Sequence, residues 1–494
     1  MNTKHMTAAL LISALALSAS ACASEPADVP ADTGSDTADA VTEAAEYNPY
    51  ADRLKVKADL PDGLNFEGAS FRTTVNAGDN GNPIPKDIYM EASDGDVVDD
   101  TIFNRRIYVE DLLNVKIEPS EVFEASQASS VIRNSVNAGD DEYDVFLGHM
   151  IHSGGDALTG IFRNWYDVPY IDFGNPWYPQ YSIDSLTVDG VMFLTLSDIM
   201  ISSIHNTYCM YYNKTLASDY DLGDIYGVIK DGKWTLDKLQ EYSMQVYKDL
   251  NGDGTQDEGD QYGYATSIDS NVVTYFWAFD VPLIEAKDGV VTITANNAKT
   301  VETVSRLRDF FYNSASVCVV DTWTKFPQLF NQGQILFIPR CIGETQTLFR
   351  ETDNYGIIPF PKFDEAQKAY YTMLDGCSPV MAVPKTAENI DVIGAVMEAM
   401  GEYSYKYLYP AYYDVALKVK GTRDETSIEM LDLIMDGRVV DFTFVYDNFK
   451  GFAFTLQELL KQNTTQDFSS YYAQKEKSVQ KHYDSVLEAF KNAD

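Results

Sequence analysis

The chain has 494 residues, of which 45% are hydrophobic and 13% aromatic, so it can bury two or more hydrophobic cores and is not a disordered protein. Acidic residues outnumber basic ones 75 to 37, which gives a net charge of −38. This charge argues against a nucleic-acid-binding protein and against electrostatic docking on an anionic membrane surface.

The N-terminus has the pattern of a bacterial export signal. A basic start precedes an apolar run over residues 8–17, which is too short to span a bilayer and has the length of a signal-peptide core. Small residues then precede Cys22, as in the lipobox of bacterial lipoproteins, although Ala19 stands where Leu is usual. We therefore predict a lipoprotein signal peptide over residues 1–22 that is lipidated at Cys22. The alternative is ordinary cleavage and a freely secreted protein.

Residues 23–53 are rich in Ala, Asp, Glu, Thr, Ser and Pro and carry few large apolar side chains. Such a composition cannot bury enough surface to fold, so we predict a flexible acidic tether. Behind a lipid anchor, the tether would hold the rest of the protein at the extracellular face of the cell membrane. No later stretch is long and apolar enough to span a membrane.

Strands and helices alternate after the tether. The hydrophobic patterns predict strands at residues 70–75, 115–117 and 144–147, with helices at 97–110 and 125–137. Alternation of this kind, with Gly in the loops, predicts an α/β architecture with a largely parallel sheet. In such sheets, ligands bind beyond the carboxyl ends of the strands.

The later part of the chain has helix and strand patterns as well. A pair of strands turning at residues 189–190 is predicted within 186–197, and residues 287–289 predict a hairpin turn. The other predicted elements are helices at 298–313 and 471–490, a helix and a strand over 326–338 that Pro339 closes, and a strand at 354–361.

An acidic loop follows a predicted helix that Thr235 caps. Residues 249–260 carry oxygen ligands at positions 1, 3, 5, 7, 9 and 12 with Gly254 at position 6, which is the register of a calcium-binding EF-hand loop. Position 12 is Asp260 where Glu is usual, and a solvated acidic turn is the alternative interpretation. The next residues predict a strand and not a second EF-hand helix. We therefore expect a structural Ca²⁺ site formed by Asp249, Asn251, Asp253, Thr255, Asp257 and Asp260.

The cysteines after Cys22 have a spacing that fits no zinc or redox motif. In an exported protein, disulfide pairing and buried free thiols both stay open, and we favour free thiols. These cysteines are Cys209, Cys318, Cys341 and Cys377.

Several short motifs stand in a characteristic order: Asp144-Val145, Pro176-Trp177, Tyr212-Asn213-Lys214, Gly232-Lys233-Trp234-Thr235, and Tyr-Gly-Ile-Ile-Pro-Phe-Pro-Lys at 355–362. Together they resemble the extracellular solute-binding proteins of bacterial ABC importers. The resemblance is closest to lipoprotein members from Gram-positive gut bacteria within family 1, the maltodextrin-binding-like group. It covers the chain from about Leu60 to the C-terminus. Each motif alone is weak, and their order and spacing carry the resemblance.

The resemblance implies a two-lobe periplasmic-binding-protein-like α/β fold (type II), with lobes joined by crossing hinge strands and a ligand cleft between them. It places lobe 1 at residues 54–203 and 362–415, and lobe 2 at 204–361 and 416–494. It further implies a monomer that captures an extracellular solute for the transmembrane subunits of a permease. A carbohydrate is the leading ligand, and a peptide or other charged solute is the runner-up.

The resemblance also places the cleft at strand ends, near several candidate ligand contacts. Aromatic faces stack on sugar rings, which favours Trp277, whereas for Trp177 in a Pro-rich connection we favour a core position. Arg340 follows an apolar strand and a Pro. It is expected at the cleft edge, where it bonds a carboxylate or sugar hydroxyls, or else forms an interlobe ion pair with Asp375. The candidates are Asn76, Gly148, His149, Asp198, Asn271, Trp277, Arg340, Asp375 and Tyr446.

No catalytic motif accompanies these candidates. The sequence lacks a Gly-x-Ser-x-Gly elbow, a His-Glu-x-x-His zinc motif, a P-loop and a dinucleotide fingerprint. His149 and His152 have no third ligand at a zinc-like spacing. A glycosidase needs only two carboxylates and a surface adhesin needs no cleft, so both stay as alternatives to a solute-binding protein.

Overall fold

Short strands and helices alternate along the chain, as the α/β pattern predicts. The computed structural model describes residues 50–78, 83–345, 347, 349, 354–418, 425–462 and 464–493. The predicted signal peptide, Cys22 and nearly all of the tether lie outside these residues. Residues Tyr50–Asp494 form one compact unit. Within the described ranges, no helix combines the length and the apolar character that a membrane crossing needs.

Strands and helices are spread over the whole compact unit. The strands are β1 Ala69–Phe71, β2 Thr73–Asn76, β3 Val115–Ile117, β4 Glu121–Phe123, β5 Val145–His149, β6 Tyr208–Asn213, β7 Tyr262–Ser267, β8 Ile284–Lys287, β9 Val290–Ile293, β10 Val317–Val320, β11 Ile335–Cys341, β12 Tyr355–Ile358, β13 Thr372–Met373, β14 Pro379–Ala382 and β15 Arg438–Val439. The α-helices are α1 Val97–Leu113, α2 Ala125–Ala138, α3 Met150–Ala157, α4 Gln180–Leu186, α5 Ile201–His205, α6 Lys214–Asp219, α7 Ile225–Lys230, α8 Leu236–Val246, α9 Ser270–Ala278, α10 Ala298–Asn313, α11 Lys325–Asn331, α12 Ile390–Tyr403, α13 Tyr409–Lys418, α14 Glu425–Asp436, α15 Phe442–Val445, α16 Thr455–Leu459 and α17 Phe468–Lys491. Short 3₁₀ turns include Ile342–Thr345, directly after β11.

The larger sheet has five strands in the order β10-β7-β11-β6-β12. Strands β10, β7 and β11 run parallel, whereas β6 is antiparallel to both of its neighbours. Cys341 at the end of β11 therefore pairs with Tyr208 at the start of β6. The carboxyl ends of β7 and β11 and the amino end of β6 consequently meet at one edge of the sheet, which is where a ligand site is expected.

The smaller sheet has four strands in the order β14-β5-β2-β4, of which only β14 is antiparallel to its neighbour. Its strands lie in stretches predicted for lobe 1, and the strands of the larger sheet lie within 204–361. Helices from the C-terminal part contact both regions, since α15 packs against α3 while α14 packs against β12. The lobe boundaries themselves stay a prediction.

Tyr211, in the middle of β6, ties the end of β11 to the core. Its ring centroid lies 4.5 Å from that of Phe349 and 5.5 Å from that of Tyr355. Its hydroxyl donates to the carbonyl oxygens of Cys341 and Ile342, each at 3.0 Å. These bonds fix the backbone directly behind the edge of the sheet at which the site forms.

Most predicted elements are present with similar bounds. The helix predicted at 298–313 is α10, and the one predicted at 471–490 lies within α17. Thr235 caps α8 as predicted, because its hydroxyl accepts a hydrogen bond from the Lys238 backbone N–H at 3.3 Å. The hairpin turn predicted at 287–289 joins β8 and β9.

Two expectations about strands are wrong. Within 186–197 only Val188 and Val191 bridge across the turn, because the chain beyond it pairs with the smaller sheet, where Thr195 bridges Met381. The strand expected to end before Pro339 continues to Cys341. Pro339 has no backbone N–H, but this breaks no pairing with β7, because the pairing of β11 with β7 ends two residues earlier. On its other side, β11 pairs with β6 as far as its last residue.

Candidate functional site

A cavity of about 210 Å³ lies at the edge of the larger sheet where β7 and β11 end. Asp269 and Ser270 follow β7, while Arg340 and Cys341 are the last residues of β11. The lining residues are His205, Asn206, Tyr208, Asp269, Ser270, Asn271, Trp323, Pro339, Arg340, Cys341, Glu344, Asp375 and Cys377.

Asp375 joins three parts of the cavity wall. Its Oδ2 accepts hydrogen bonds from the hydroxyls of Tyr208 and Ser270, and its Oδ1 accepts from the Cys377 backbone N–H at 2.8 Å. Its own backbone N–H donates to the carbonyl oxygen of Asn206 at 2.8 Å. Burial raises the pKa of Tyr208, and the nearby carboxylate raises it further, so this hydroxyl stays protonated and continues to donate.

Arg340 is 5% exposed and is bound within the wall. Its Nε donates to Glu344 Oε2 at 2.5 Å, and its Nη1 donates to the carbonyl oxygen of Trp323 at 3.1 Å. The ion pair that was expected with Asp375 is therefore made with Glu344 instead. The reason is local, since the 3₁₀ turn after β11 brings Glu344, four residues on, back to the guanidinium.

Three buried nitrogen atoms of the cavity wall have no hydrogen-bond partner among the described residues: His205 Nδ1, Asn206 Nδ2 and Arg340 Nη2. Buried polar groups in folded proteins are nearly always bonded, and polar ligand atoms or water in the cavity would supply partners for these nitrogen atoms. Burial lowers the pKa of His205 to about 4, so its imidazole is neutral at physiological pH.

The cavity wall is rich in acidic side chains. Among the described residues, Asp269, Glu344 and Asp375 line the cavity together with one guanidinium, that of Arg340. Because this guanidinium is paired with Glu344, the carboxylates of Asp269 and Asp375 have no cationic partner among the lining residues that the structure describes. A neutral polar ligand or a cationic one matches this surface, whereas an anionic ligand would be repelled.

Of the nine candidate ligand contacts, Asn271, Arg340 and Asp375 line the cavity. Asn76, Gly148 and His149 lie on the smaller sheet instead. Asn76 Nδ2 donates to the Leu147 carbonyl oxygen at 3.3 Å, which ties β2 to β5. A Cβ at Gly148 would lie 2.0 Å from the Ser153 hydroxyl, so this Gly permits close packing. His149 Nδ1 accepts from a backbone N–H of the helix it precedes, and so caps α3.

Asp198, Trp277 and Tyr446 also lie outside the cavity lining. Asp198 is buried and accepts a hydrogen bond from Arg438 at 3.5 Å. Trp277 Nε1 donates to Asp441 Oδ2 at 2.6 Å. Tyr446 is fully buried, as is Trp177, for which a core position was favoured.

Several residues of the cavity wall were not predicted from the sequence. A usable signal existed for Asp269 and Ser270, which follow the carboxyl end of a predicted strand, and for Glu344, which stands four residues after Arg340. No such signal existed for residues at the amino end of a strand or for a Trp in a connecting loop. The residues not predicted are His205, Asn206, Tyr208, Asp269, Ser270, Trp323, Cys341, Glu344 and Cys377.

The acidic loop at 249–260 forms a tight turn. The Asp249 carboxylate accepts from the backbone N–H groups of Gly252 and Gly254, at 2.5 and 3.0 Å. Asp260 is 1% exposed. Its Oδ1 accepts from the Leu250 N–H at 3.2 Å, while its Oδ2 has no partner among the described residues. Among all the residues that the structure describes, no three Asp, Glu, His or Cys side chains are grouped so that they could hold a metal ion.

Of the cysteines after Cys22, Cys209 and Cys318 are buried free thiols, and Cys341 is a half-buried free thiol. Cys377 is half-buried. Burial raises the pKa of the Cys318 thiol to about 11, and burial also raises the pKa of the Cys209 thiol, so both thiols are protonated at physiological pH. The structure thus agrees with the favoured interpretation of free thiols.

Residues 107–396 match a family described as bacterial extracellular solute-binding protein. The GacH receptor of Streptomyces glaucescens GLA.O has a similar structure, with a TM-score of 0.54, 13% identity, and coverage of 85% of this chain and 99% of that chain. A cyclo/maltodextrin-binding protein has a TM-score of 0.53 and 12% identity over 86% and 98%. An ABC substrate-binding protein of Listeria monocytogenes has a TM-score of 0.50 and 12% identity over 86% and 99%. A search of curated proteins found no significant match.

The structural matches extend over nearly the whole length of these other proteins, and they have the two-lobe fold that the sequence resemblance implies. That fold class is therefore confirmed. The family match spans more than half of the chain and includes the strands whose ends form the cavity. The chain belongs to the family of bacterial extracellular solute-binding proteins.

Proposed function

We propose that the chain captures a carbohydrate outside the cell and delivers it to the permease of an ABC importer. The observation that carries the proposal is the composition of the cavity wall. It sets buried side-chain nitrogens of His205 and Asn206, which have no partner among the described residues, beside carboxylates and an aromatic ring. A sugar hydroxyl both donates and accepts hydrogen bonds, and a sugar ring has an apolar C–H face. A wall with these three kinds of group suits such a ligand.

A peptide or another charged solute is the second candidate, and it rests on Arg340 as a binding group for a carboxylate. Because Glu344 already neutralises this guanidinium, an anionic ligand gains little from it. The carboxylates of Asp269 and Asp375 would also repel such a ligand. The charges of the wall therefore disfavour an anionic solute.

Ligands of the similar structures support the same class. The GacH receptor was solved with acarbose, the cyclo/maltodextrin-binding protein with maltotetraose, and the Listeria protein with cycloalternan. Their sequence identity to this chain is 12–13%, so they support a class of ligand and not a particular sugar.

Function would follow from closure around the ligand. In a two-lobe protein, a ligand that touches both walls stabilises the closed arrangement through its higher affinity for that state. Asp375 is placed for this role, since it already bonds Tyr208 and Ser270 across the cavity edge. No bond of the ligand is made or broken in such a cycle, so we propose a binding protein and not an enzyme.

The proposed location is the extracellular face of the cell membrane, with a lipid on Cys22 as the anchor and residues 23–53 as the tether. This location rests on the signal pattern of the sequence and on the extracellular character of the family. The proposed partners are the transmembrane subunits of the permease, and the binding protein acts as a monomer.

Thermal unfolding of the compact unit, residues 50–494, tests the ligand class. A ligand at 100-fold its Kd stabilises the folded state by about 2.7 kcal/mol, which raises the unfolding temperature measurably. We expect neutral oligosaccharides to raise it and acidic peptides to leave it unchanged. A rise with peptides alone would replace the carbohydrate by the second candidate.

We also propose that the 249–260 loop binds Ca²⁺ as a structural brace. The tight turn at Gly254, the register of the oxygen-bearing side chains and the unpartnered buried oxygen of Asp260 support this proposal. The two ends of the loop are joined by paired hydrogen bonds between Lys248 and Gln261, so a bound cation would fasten α8 to β7. Binding requires the loop carboxylates to turn from backbone N–H groups toward the cation.

Chelation tests the calcium site. We expect EDTA to lower the unfolding temperature of the compact unit and added Ca²⁺ to restore it. Asp260→Asn should unfold at the lower temperature with or without EDTA, since it removes the buried ligand oxygen. Asp184→Asn, an exposed carboxylate on α4, is the control and should respond to EDTA like the wild type. If EDTA leaves the unfolding temperature of the wild type unchanged, the calcium site is disproved.

A further inference from the structure

Trp323 lies on the cavity wall, in the loop between β10 and α11. The chain has five tryptophans, and this one is half-buried. Trp165, Trp177 and Trp234 are fully buried, and Trp277 lies outside the cavity lining with its Nε1 bonded to Asp441. All five belong to the described part of the chain, so Trp323 is the tryptophan that a ligand in this cavity can touch.

The ring of Trp323 is held by Arg340. The guanidinium carbon lies 4.5 Å from the centroid of the Trp323 ring and 5.2 Å from that of Phe326, so the planar cation sits against both rings. Its Nη1 also donates to the Trp323 carbonyl oxygen at 3.1 Å. Stacking on the ring and bonding to the backbone of the same residue together restrict where the indole can point.

Glu344 completes this arrangement. Its Oε2 accepts from Arg340 Nε at 2.5 Å, and the two side chains are both largely buried, with exposed fractions of 6% and 15%. The carboxylate holds the guanidinium beside the indole, and it balances the positive charge. Arg340 is thus bonded to neighbouring protein groups, and of its side-chain nitrogens only Nη2 has no partner among the described residues.

We propose that Trp323 is the platform on which a ring of the sugar packs, and that Arg340 and Glu344 are positioning residues which hold this platform at the cavity wall. The inference rests on the proposed carbohydrate function and assigns the stacking contact within it. The ligand recognised in this way has a ring with an apolar C–H face, as in a neutral pyranose. Asp269, Asp375 and Asn271, on the same wall, would bond its hydroxyls.

Titration of the compact unit with the neutral oligosaccharide that stabilises it most tests the platform. Trp323→Ala should weaken binding by at least about tenfold, whereas Trp323→Phe, which keeps an aromatic face, should stay within about threefold. Trp323→Leu keeps apolar volume without the aromatic face and should bind as weakly as Trp323→Ala. Trp277→Phe is the matched control and should bind like the wild type.

The outcomes separate the inference from the proposed function. If the wild type binds the sugar and Trp323→Ala and Trp323→Leu bind it equally well, the platform is disproved and the carbohydrate function stands. If Trp323→Phe loses as much affinity as Trp323→Leu, stacking is likewise disproved. If the wild type binds no sugar at all, the proposed function fails first.

The positioning role has a spectroscopic readout. The emission of Trp323 is the difference between the spectra recorded with Trp323 present and with Trp323→Phe in the same protein. Without any ligand, this emission should shift in Arg340→Met and in Glu344→Gln, because the indole loses its fixed neighbours. Sugar affinity should fall in the same variants. A loss of affinity with unchanged emission would show that Arg340 acts on the ligand directly, and it would overturn the positioning role.

Discussion

Gly154→Ala should lower the free energy of unfolding by at least about 3 kcal/mol, whereas Gly155→Ala should leave it unchanged or raise it by about 0.5–1 kcal/mol. Both residues lie in α3, so the same substitution is made one position apart in one helix. A Cβ at Gly154 would lie 1.5 Å from the carbonyl oxygen of Val445, while a Cβ at Gly155 would meet no atom within 4 Å.

The physical reason for the difference is the contact between α3 and α15. The clashing atom belongs to the backbone, which cannot rotate away as a flexible side chain would, so the two helices must separate and lose packing. Chemical unfolding of both variants, followed by circular dichroism, measures the effect. Equal stability of the two variants would show that the C-terminal segment does not pack on α3 as described.

Asp375→Ala should weaken sugar binding by about 30- to 150-fold, which corresponds to about 2–3 kcal/mol. The substitution removes the acceptor of two hydroxyl groups, those of Tyr208 and Ser270, and leaves the buried Tyr208 hydroxyl with Ser270 Oγ, at 2.9 Å, as its remaining partner. It also removes a carboxylate from the cavity wall itself. Both effects act in the same direction, because the bound state needs the wall assembled.

Calorimetric titration measures this effect, and two further variants sharpen it. Tyr208→Phe keeps the ring and removes one donor to Asp375, so its loss should be smaller, about tenfold. Asp184→Ala changes an exposed carboxylate on α4 and should have no effect on the Kd. An unchanged Kd in Asp375→Ala would place the ligand away from this cavity.

The sequence predicts the elements of this fold better than it predicts their assembly. The periodicity over 298–313 matches α10 residue for residue, because its buried positions recur at helical spacing. The order of strands in the larger sheet depends on pairings between distant segments, such as β6 with β11. Local patterns do not encode such pairings, so the cavity that the sheet edge creates could not be assembled from them.

The two tryptophans illustrate this limit. Trp277 was a reasonable candidate because its segment follows a strand end, and α9 does begin at the cavity with Ser270. The helix then carries the chain away, since seven residues at about 1.5 Å each advance it by roughly 10 Å. Trp323 lies in a loop without periodicity, so only the folded chain shows that it reaches the wall.

Arg340 illustrates the opposite case. Its position at the cavity follows from the sequence, because it ends an apolar strand whose carboxyl end faces the site. The residue that pairs with its guanidinium is not Asp375, the distant carboxylate considered from the sequence. A local turn supplies Glu344 four residues later, and a nearby carboxylate of this kind meets the guanidinium without any need for lobe closure.

The crystal structure of residues 50–494 with the most stabilising oligosaccharide tests the central claim most directly. We predict a sugar ring in the cavity at the ends of β7 and β11, packed on Trp323 and bonded to Asp375. Sugar density at another place, for example the groove between α7 and α14 that Tyr370 and Glu429 line, would contradict this account of the binding site.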